Sequence, residues 1–303
     1  QGIAPFVWQG IAPFVWQGTK PFARQGKPAR QGGWPGRLGG MRIAAWNINS
    51  IRARQERALA VLDRWDLDVL LLQETKCRPD QFPAAEFEAA GYEVAAHGLD
   101  QWNGVAILSR VGIEEVAVGF EGQPAFGKEG AEPKVEARAI GARCGGVGVW
   151  SLYVPNGRAL NDPHYPYKLE FLAALRRAAS AQLAEDSSAQ LLLAGDWNVV
   201  PSDADVWDPE LFRGELYASD PEREAFHAFA DAGFAEVTRG ATEAPYTFWD
   251  YQRLRFPKNE GMRIDFAWAS PALAERVAAA HIDRNERKGK GASDHVPVVV
   301  EFA

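Results

Sequence analysis

The chain has 303 residues, 47% hydrophobic and 11% aromatic, so it is long enough to bury one large core or two small ones. It has no run of about eighteen apolar residues and no secretory leader pattern, so we expect a globular cytoplasmic protein. The two cysteines, Cys77 and Cys144, lack metal-ligand spacing, which argues against a disulfide framework and for reduced thiols.

The formal charge of -7 is unevenly distributed. Residues 1–40 hold five of the 33 basic residues and none of the 40 acidic ones, which leaves 28 basic against 40 acidic residues, or -12, in residues 41–303. A chain this acidic cannot hold nucleic acid by bulk charge. If it acts on DNA, it needs a local basic surface, a metal ion, or both.

The first thirty residues are repetitive. Residues 1–8 and 9–16 are identical octapeptides, followed by a variant and a shortened copy. Proline in each unit opposes helices and central strands, and so few short copies cannot form a solenoid. We expect residues 1–40 to be a disordered tract upstream of a natural start at Met41; a flexible nucleic-acid-binding arm is the alternative.

After Met41, short apolar runs alternate with amphipathic stretches. Many strands, few helices and no glycine- or proline-rich linker predict one domain over residues 41–303. The predicted fold is α+β, a four-layer α/β sandwich of two packed mixed β-sheets flanked by helices. Strands are predicted at residues 42–48, 68–73, 105–109, 134–140, 147–154, 191–194, 263–269, 277–282 and 296–302, and helices at 54–65, 167–183 and 222–232.

Polar side chains follow these strands repeatedly. Rigid strand ends beside open loops are the usual mounting for groups that bind metal or phosphate. Each one alone could be a turn residue, a helix cap or a solvated strand end. Six in one domain favour a catalytic centre, since uncompensated buried polar groups are costly. They lie at residues 46–49, 73–76, 153–157, 195–198, 263–266 and 293–295.

Seven motifs carry a specific pattern: NINSIRAR at 47–54, LLLQETK at 70–76, LYVPNG at 152–157, GDWNVVP at 195–201, YTFWDY at 246–251, RIDF at 263–266 and SDH at 293–295. The set resembles the exonuclease III family of apurinic/apyrimidinic (AP) endonucleases, in the family's order and across essentially all of residues 41–303. The wider superfamily includes deoxyribonucleases, inositol polyphosphate phosphatases and sphingomyelinases. They share the Glu, the Asp-x-Asn and the Asp-His, so these three alone do not choose a substrate.

The resemblance implies a magnesium site, with Mn²⁺ as a substitute ion. Glu74 and Asn47 would bind the ion, and Asp294 would complete or support the site, because Mg²⁺ prefers oxygen ligands. Asp196 would orient or deprotonate the attacking water, and Asn198 would hold the water and the phosphate. The resemblance leaves open whether one metal ion or two operate.

The resemblance also implies which groups contact the scissile phosphate. His295 would contact a non-bridging oxygen as imidazolium, and Asp265 would be the carboxylate that raises its pKa. Tyr153 would offer its phenol to the phosphate or to the leaving 3′ oxygen. Charge would then be matched where the transition state is most negative.

Residues 246–266 favour abasic DNA over a lipid or inositol substrate. Family members that accept abasic sites have an apolar pocket too shallow for an intact nucleotide. The resemblance assigns Phe248, Trp249, Met262 and Ile264 to this pocket; the alternative is that they are core residues. Met262 replaces the bulkier Trp of the animal enzymes, which leaves the balance of endonuclease to exonuclease activity open.

Basic residues lie beside the catalytic motifs. Individually most could be solvated loop charges, but together they predict the basic surface that an acidic nuclease needs. We expect Arg52, Lys76, Asn156 and Arg158 to contact DNA, with Arg158 the best candidate to contact or enter the duplex. The other basic residues of this set are Arg54, Arg78, Arg253, Arg255, Lys258, Arg284, Arg287, Lys288 and Lys290.

We therefore expect a magnesium-dependent DNA repair phosphodiesterase, an AP endonuclease with 3′–5′ exonuclease and 3′-phosphodiesterase activity. It would act as a monomer on double-stranded DNA with abasic sites or 3′ ends, with no membrane partner. One alternative is a phosphatase of lipid or inositol head groups, which would lack the motif at 246–251. The other is a catalytically silent DNA-binding paralogue, which would have lost an acidic metal ligand.

Overall fold

The computed structural model describes residues 40–127, 130, 132–241 and 244–303, so the predicted disordered tract lies, but for Gly40, outside the described residues. Twelve strands and seven α-helices occur in the described ranges. The strands are β1 (Met41–Asn47), β2 (Val69–Gln73), β3 (Glu93–His97), β4 (Val105–Ser109), β5 (Glu114–Val118), β6 (Ala139–Cys144), β7 (Val147–Tyr153), β8 (Leu191–Asp196), β9 (Ala235–Glu236), β10 (Asp265–Ala269), β11 (Val277–Ile282) and β12 (Val298–Phe302). The helices are α1 (Ile51–Arg64), α2 (Ala84–Ala89), α3 (His164–Glu185), α4 (Pro209–Phe212), α5 (Asp220–Asp231), α6 (Arg255–Lys258) and α7 (Pro271–Ala274).

The strands form two six-stranded sheets, in the orders β11-β12-β1-β2-β4-β3 and β5-β6-β7-β8-β10-β9. Among the described pairs, β1 with β2 and β7 with β8 are parallel and the others antiparallel, so both sheets are mixed. The chain crosses between the strands of each parallel pair through a helix, α1 or α3, because parallel strands need a long crossover. Parallel strands end at the same edge of a sheet, so polar side chains at the carboxyl ends of β1 and β2, and of β7 and β8, can lie close together.

Alternation along the strands explains the layers. Ile43 and Ala45 of β1 pack in a cluster with Val149 of the second sheet, whereas Trp46 packs in the cluster that contains residues of α1. Successive strand side chains point to opposite faces, so one strand serves two apolar layers. Phe171 of α3 packs in a third cluster, on the other face of the second sheet. The predicted four-layer sandwich is confirmed.

The sequence missed three of the four edge strands. β3, β5 and β9 end their sheets, and β5 is mostly exposed, so these strands lack the apolar runs that mark central strands. The strand predicted at 134–140 was wrong, because Lys134 forms only an isolated bridge with Phe126. The N–H of Arg138 donates to the carbonyl of Glu136 (2.9 Å), a tight turn that delays the strand until Ala139–Cys144.

The first helix begins three residues earlier than predicted. α1 starts at Ile51 rather than at residue 54, and Arg54 itself has non-helical angles (φ -133°, ψ 21°) that mark a kink. The other two predicted helices lie within two or three residues of α3 and α5 at each end. In the described ranges, no helix has the length and apolar character required to cross a bilayer.

Candidate active site

Functional side chains from both sheets converge at one edge of the sandwich. Asn47 ends β1, Glu74 follows β2, Tyr153 ends β7 and Asp196 ends β8. Tyr153 and Asp196 are direct partners in the parallel ladder. Asp265 begins the antiparallel strand β10 opposite Asp196, so it enters the same edge from the other direction.

The Asn47 amide joins the two sheets. Its Nδ2 donates to Glu74 Oε1 (2.8 Å) and to Asp196 Oδ2 (2.9 Å). Asn47 is fully buried, so both hydrogen bonds are shielded from solvent on its side. One amide therefore sets the separation of two predicted functional carboxylates.

The loops around this edge hold strained backbone. Asn49 (φ 48°), Glu74 (φ 52°), Lys76 (φ 53°), Arg158 (φ 59°) and Asn198 (φ 51°) all have left-handed conformations. Non-glycine residues are uncommon there, and such strain persists where the surrounding structure fixes it, often at functional sites. The strain thus falls on residues of three predicted motifs and on Arg158, which directly follows a fourth.

Glu74 is an ionised carboxylate in a polar chain of contacts. Lys76 Nζ lies 2.8 Å from Glu74 Oε2 and also donates to Asn49 Oδ1 (2.5 Å). Asn49 Nδ2 in turn donates to Asp294 Oδ1 (3.0 Å). Burial works to raise the pKa of Glu74, but Lys76 and the Asn47 hydrogen bond outweigh it and hold that pKa below its ordinary value.

His295 lies between two buried carboxylates. Its Nδ1 contacts Asp265 Oδ2 (2.9 Å) and Oδ1 (3.1 Å), and its Nε2 lies 3.8 Å from Asp196 Oδ2. Burial works to lower the pKa of His295, but Asp265 and then Asp196 raise it well above its ordinary value. The ring is therefore an imidazolium at neutral pH, held in orientation by Asp265.

The pKa of Asp196 is set by a different balance of effects. Burial raises its pKa, with the nearby Asp265 charge adding to the rise and the His295 charge opposing it. A carboxylate whose pKa is raised towards neutrality is a better proton acceptor for catalysis than an ordinary aspartate. Its Oδ1 also accepts the backbone N–H of Asn198 (2.9 Å), which fixes the carboxylate plane.

Two sets of side chains could hold a metal ion. Asp196, Asp265 and His295 form one group of acidic and histidine side chains whose ligand atoms lie within 4.8 Å of one another among the described residues. In this trio His295 Nδ1 is bonded to Asp265 Oδ2 (2.9 Å) and Nε2 faces Asp196 Oδ2 (3.8 Å), which is the arrangement of an ion-paired group. The other set is Glu74 and half-buried Asp294, whose carboxylates suit a hard cation, with Asn47 between Glu74 and Asp196. The Asn47 amide has Nδ2 on Glu74 and Oδ1 on the N–H of Asn49, so its oxygen would join the set once the amide is flipped.

Tyr153 supplies a neutral phenol. Burial first, and then the Glu74 charge, raise its pKa well above the ordinary value, so it stays a hydrogen-bond donor at any physiological pH. The Arg138 guanidinium lies 4.8 Å from the centre of its ring. The ring is thus held from one side beside Glu74 and Asp196.

Asn156 and Asn198 lie together on the loops after β7 and β8. Asn198 Nδ2 donates to the carbonyl of Val154 (3.0 Å), and Asn156 Nδ2 lies 3.5 Å from Asn198 Oδ1. Asn156 Nδ2 also donates to the hydroxyl of Tyr217. The structure therefore brings these two predicted residues to the same corner as Asp196.

The predicted apolar pocket is partly as expected. Phe248 and Met262 are half-buried and pair with each other, and the Phe248 ring centre lies 4.8 Å from that of His295. Trp249 is fully buried and packs on Phe256, so its predicted contact with DNA is wrong in this structure. Ile264 is 2% exposed and lies beneath Phe248 and Met262, so it supports the pocket without lining it.

The predicted basic residues divide into exposed and structural ones. Arg52 and Arg158 are exposed, and the Arg158 guanidinium lies 5.7 Å from the Phe126 ring centre. Lys76 is half-buried and faces Glu74. Arg54 instead donates to backbone carbonyls of Asn49 and Ala292, so it ties loops together. Arg54 therefore does not belong to the exposed basic surface that the sequence predicted.

The sequence reading missed several residues near the site. Trp207 and Tyr217 are half-buried and pack in one cluster with Phe248 and Met262. Lys168 of α3 is fully buried beneath the two asparagine loops. Its signal was present in the sequence, since a lysine stood on the apolar face of a predicted helix, at the spacing expected of core residues.

The fold and site define a class of protein: a two-sheet sandwich that gathers carboxylates, amides and an imidazolium at one edge, a set suited to hydrolysing phosphate esters. The endonuclease/exonuclease/phosphatase family model matches residues 44–295, and the chain belongs to this family.

Individual relatives show which members of this family the chain is similar to. Exodeoxyribonuclease III from Haemophilus influenzae is 29% identical over 272 residues, covering 86% of this chain and 100% of that protein. The structure of the 3′ phosphatase NExo from Neisseria, bound to a product DNA hairpin, is 34% identical with a TM-score of 0.80, covering 87% of this chain and 99% of that one. An AP endonuclease from Archaeoglobus fulgidus is 33% identical with a TM-score of 0.79, covering 86% and 99%. The resemblance to the exonuclease III family is confirmed.

Proposed function

We propose that this protein is a DNA repair phosphodiesterase that cuts duplex DNA at abasic sites and also removes groups from 3′ ends. The observation that carries this proposal is the contact of Phe248 with His295, whose ring centres are 4.8 Å apart. An apolar wall lies beside the imidazolium that would hold the scissile phosphate. A base-free deoxyribose next to that phosphate would pack there, whereas an intact nucleotide would need more room.

The relatives support DNA as the substrate. Their names describe an exodeoxyribonuclease, a 3′ phosphatase bound to a DNA hairpin and an AP endonuclease. These activities all break a phosphate ester at a 3′ oxygen, so one site can serve an internal abasic site and a blocked 3′ end. Exonuclease activity would follow where a normal 3′ nucleotide enters the same site.

Magnesium is the metal that we propose, with Mn²⁺ as a substitute. Glu74, Asn47 and Asp294 would hold it, since their oxygens are the ligand type that this cation prefers. Bound there, the ion would supply positive charge that offsets the charge of the phosphate. Glu74 suits this role because its lowered pKa keeps it ionised.

Side chains of the protein would accept the proton of the attacking water and stabilise the charge that develops on the phosphate. Asp196 accepts a proton from the attacking water, whose oxygen bonds to phosphorus as the bond from phosphorus to the 3′ oxygen breaks. The 3′ oxygen leaves with the electron pair of that bond and takes a proton from solvent to become the 3′ hydroxyl. Asn198 holds the water and the phosphate, and the His295 imidazolium donates to a non-bridging oxygen, where charge develops. Tyr153 donates its phenolic hydrogen bond to the phosphate or to the leaving 3′ oxygen.

DNA would be held by Arg52, Lys76, Asn156 and Arg158 around this edge, with Phe248 and Met262 against the sugar. Arg158 is the exposed residue that we propose to contact or enter the duplex. We propose also that the enzyme acts as a monomer, because one chain supplies the whole site, and in the cytoplasm, because buried unpaired Cys77 and Cys144 fit a reducing compartment.

A duplex with one tetrahydrofuran abasic analogue tests the proposal. We expect a single cut beside the analogue with Mg²⁺ or Mn²⁺, and none with EDTA. The matched duplex with an intact nucleotide at that position should stay uncut internally. Absence of cutting with either metal, or equal cutting of both duplexes, would reject the abasic-site assignment.

A further inference from the structure

A lysine lies buried on the apolar face of α3. Lys168 is fully buried, next to the core residues Phe171 and Leu172 of the same helix. An ammonium is costly to bury without partners, so a lysine there must be retained for the contacts that it makes. Those contacts reach the active-site loops.

The Lys168 ammonium has three N–H groups and three acceptors. It donates to the carbonyl of Asn198 (2.6 Å), to the carbonyl of Asn156 (3.4 Å) and to the carboxylate of Glu222. Two of the three acceptors belong to residues that we place on the phosphate and the DNA. One charge thus binds the loop after β7 to the loop after β8.

Glu222 and Tyr217 complete the cluster on the other side of the ammonium. Glu222 accepts the backbone N–H of Tyr217 (3.1 Å) and both the N–H (3.2 Å) and the hydroxyl (2.6 Å) of Ser219. The Tyr217 ring centre lies 5.2 Å from the ammonium, and its hydroxyl accepts from Asn156 Nδ2. Its carbonyl accepts the N–H of Val200 (2.7 Å), two residues after Asn198.

Tyr217 itself has a strained backbone, with φ 74°. A bulky residue there is an outlier that its surroundings must hold in place, and Glu222 does so through the Tyr217 N–H. The cluster therefore contacts Asn156 at two points. Lys168 donates to the Asn156 carbonyl, and the Tyr217 hydroxyl accepts from the Asn156 side-chain amide.

We propose that Lys168 is a positioning residue for the phosphodiesterase reaction: it fixes the Asn156 and Asn198 loops relative to each other, so that the Asn198 amide meets the phosphate beside Asp196. The role requires a compact donor that can serve three acceptors from one point. A neutral side chain of similar length would leave two loop carbonyls without their buried donor. This inference rests on the proposed function for its kinetic readout.

Two variants with the same missing ion pair isolate the ammonium. Glu222→Gln keeps Lys168 and its bonds to both carbonyls, whereas Glu222→Gln combined with Lys168→Met removes the ammonium as well and leaves no buried unpaired charge. We expect kcat on the abasic duplex to be at least about 10-fold lower in the double variant than in the single one, a typical scale for one lost positioning contact. The double variant should melt no lower than the single one, because the single variant keeps a buried ammonium without its carboxylate. The magnesium requirement should be equal, because Glu74 and Asn47 are anchored elsewhere. Equal kcat values would overturn the proposal.

A cycle with Asn198→Ala separates positioning from general destabilisation. If Lys168 acts through Asn198, adding Lys168→Met to Glu222→Gln should cost much less kcat when Asn198 is already Ala. A fully additive loss would mean that Lys168 only supports the fold and would contradict the proposal.

Amide hydrogen exchange tests the same tie without using activity. In the double variant, residues 156–158 and 197–200 should exchange at least about 10-fold faster than in Glu222→Gln, while β7 and β8 keep their protection. Unchanged exchange in both loops would reject the role of Lys168 even in an active enzyme. Loosened loops in a protein that never cuts abasic DNA would instead reject the proposed function and leave the loop tie standing.

Discussion

His295 and Asp265 are joined by a buried hydrogen bond of 2.9 Å between Nδ1 and Oδ2. Asp265 is fully buried, and it lies opposite Asp196 in the sheet, so the bond points the remaining ring nitrogen towards Asp196. One aspartate thereby sets both the charge and the direction of the imidazole. The proposed catalytic role of His295 therefore depends on this pair.

Asp265→Asn should lower kcat by at least about 10²-fold, because the ring loses the carboxylate that keeps it charged and oriented. Single-turnover cleavage of the abasic duplex measures this loss. In a His295→Gln background the same substitution should cost much less, since the imidazole that Asp265 charges and orients is gone. Turnover within about threefold of wild type in Asp265→Asn would contradict the assigned pairing.

Glu74→Gln should raise the magnesium concentration needed for half-maximal activity by about 10-fold or more, because the site loses a charge while keeping its shape. The melting temperature should change little. Glu301→Gln is the matched control, since Glu301 of β12 is also partly buried and also pairs with a basic side chain, that of Arg42 (2.9 Å). A magnesium titration that is identical for wild type and Glu74→Gln would place the ligand elsewhere.

Phe248→Ala should reduce cutting at abasic sites more than removal of ordinary 3′ nucleotides, because the enlarged pocket no longer excludes an intact nucleotide. We expect the ratio of the two rates to fall about tenfold, or roughly 1.4 kcal/mol of differential transition-state binding. Phe234→Ala removes a buried ring from the core and should lower stability without moving the ratio. An equal loss of both activities in Phe248→Ala would make Phe248 structural only.

His164 should make stability depend on pH. Burial, with help from the Arg138 and Arg158 charges and against those of Glu136 and Asp162, lowers its pKa from 6.5 to about 4. Its Nδ1 accepts the N–H of Gly157 (3.0 Å), which requires the neutral ring.

Between pH 6.5 and 4 the imidazole of His164 is protonated in the unfolded chain but stays neutral in the folded protein. The contribution of His164 to the free energy of unfolding is therefore complete above pH 6.5 and is lost as the pH falls towards 4, with a slope of up to about 1.4 kcal/mol per pH unit. Chemical unfolding from pH 4.5 to 7.5 should show a steeper fall for wild type than for His164→Asn, which keeps an acceptor that does not titrate. Parallel curves would show that His164 is already protonated in the fold.

The sequence revealed the site chiefly because its residues stand at the ends of apolar runs. Central strands end at Asn47 and Asp196, and Glu74 directly follows another. Parallel pairing brings such strand ends together. The edge strands β3 and β5 escaped prediction because half-exposed edges need little apolar periodicity. Their absence did not affect the site, which central strands carry.

Burial was the property that the sequence could not give. Trp249 and Phe248 are adjacent, yet one is core and the other borders His295, because neighbours in a short extended segment face opposite ways. For Lys168 the sequence indicated the apolar face of a helix but not the partners of the ammonium. Only the packing of α3 against the loops shows which carbonyls it reaches.

The most direct test compares wild type with Asp196→Asn on the tetrahydrofuran duplex, with binding and single-turnover cleavage measured on the same samples in Mg²⁺. The substitution keeps the volume of the side chain but removes the proton acceptor that lies 2.9 Å from Asn47 Nδ2. We expect one cut at the analogue by wild type, and binding of similar affinity but cleavage slower by at least about 10²-fold in the variant. Cleavage by Asp196→Asn at a near-normal rate, or wild-type cutting that ignores the analogue, would contradict this expectation.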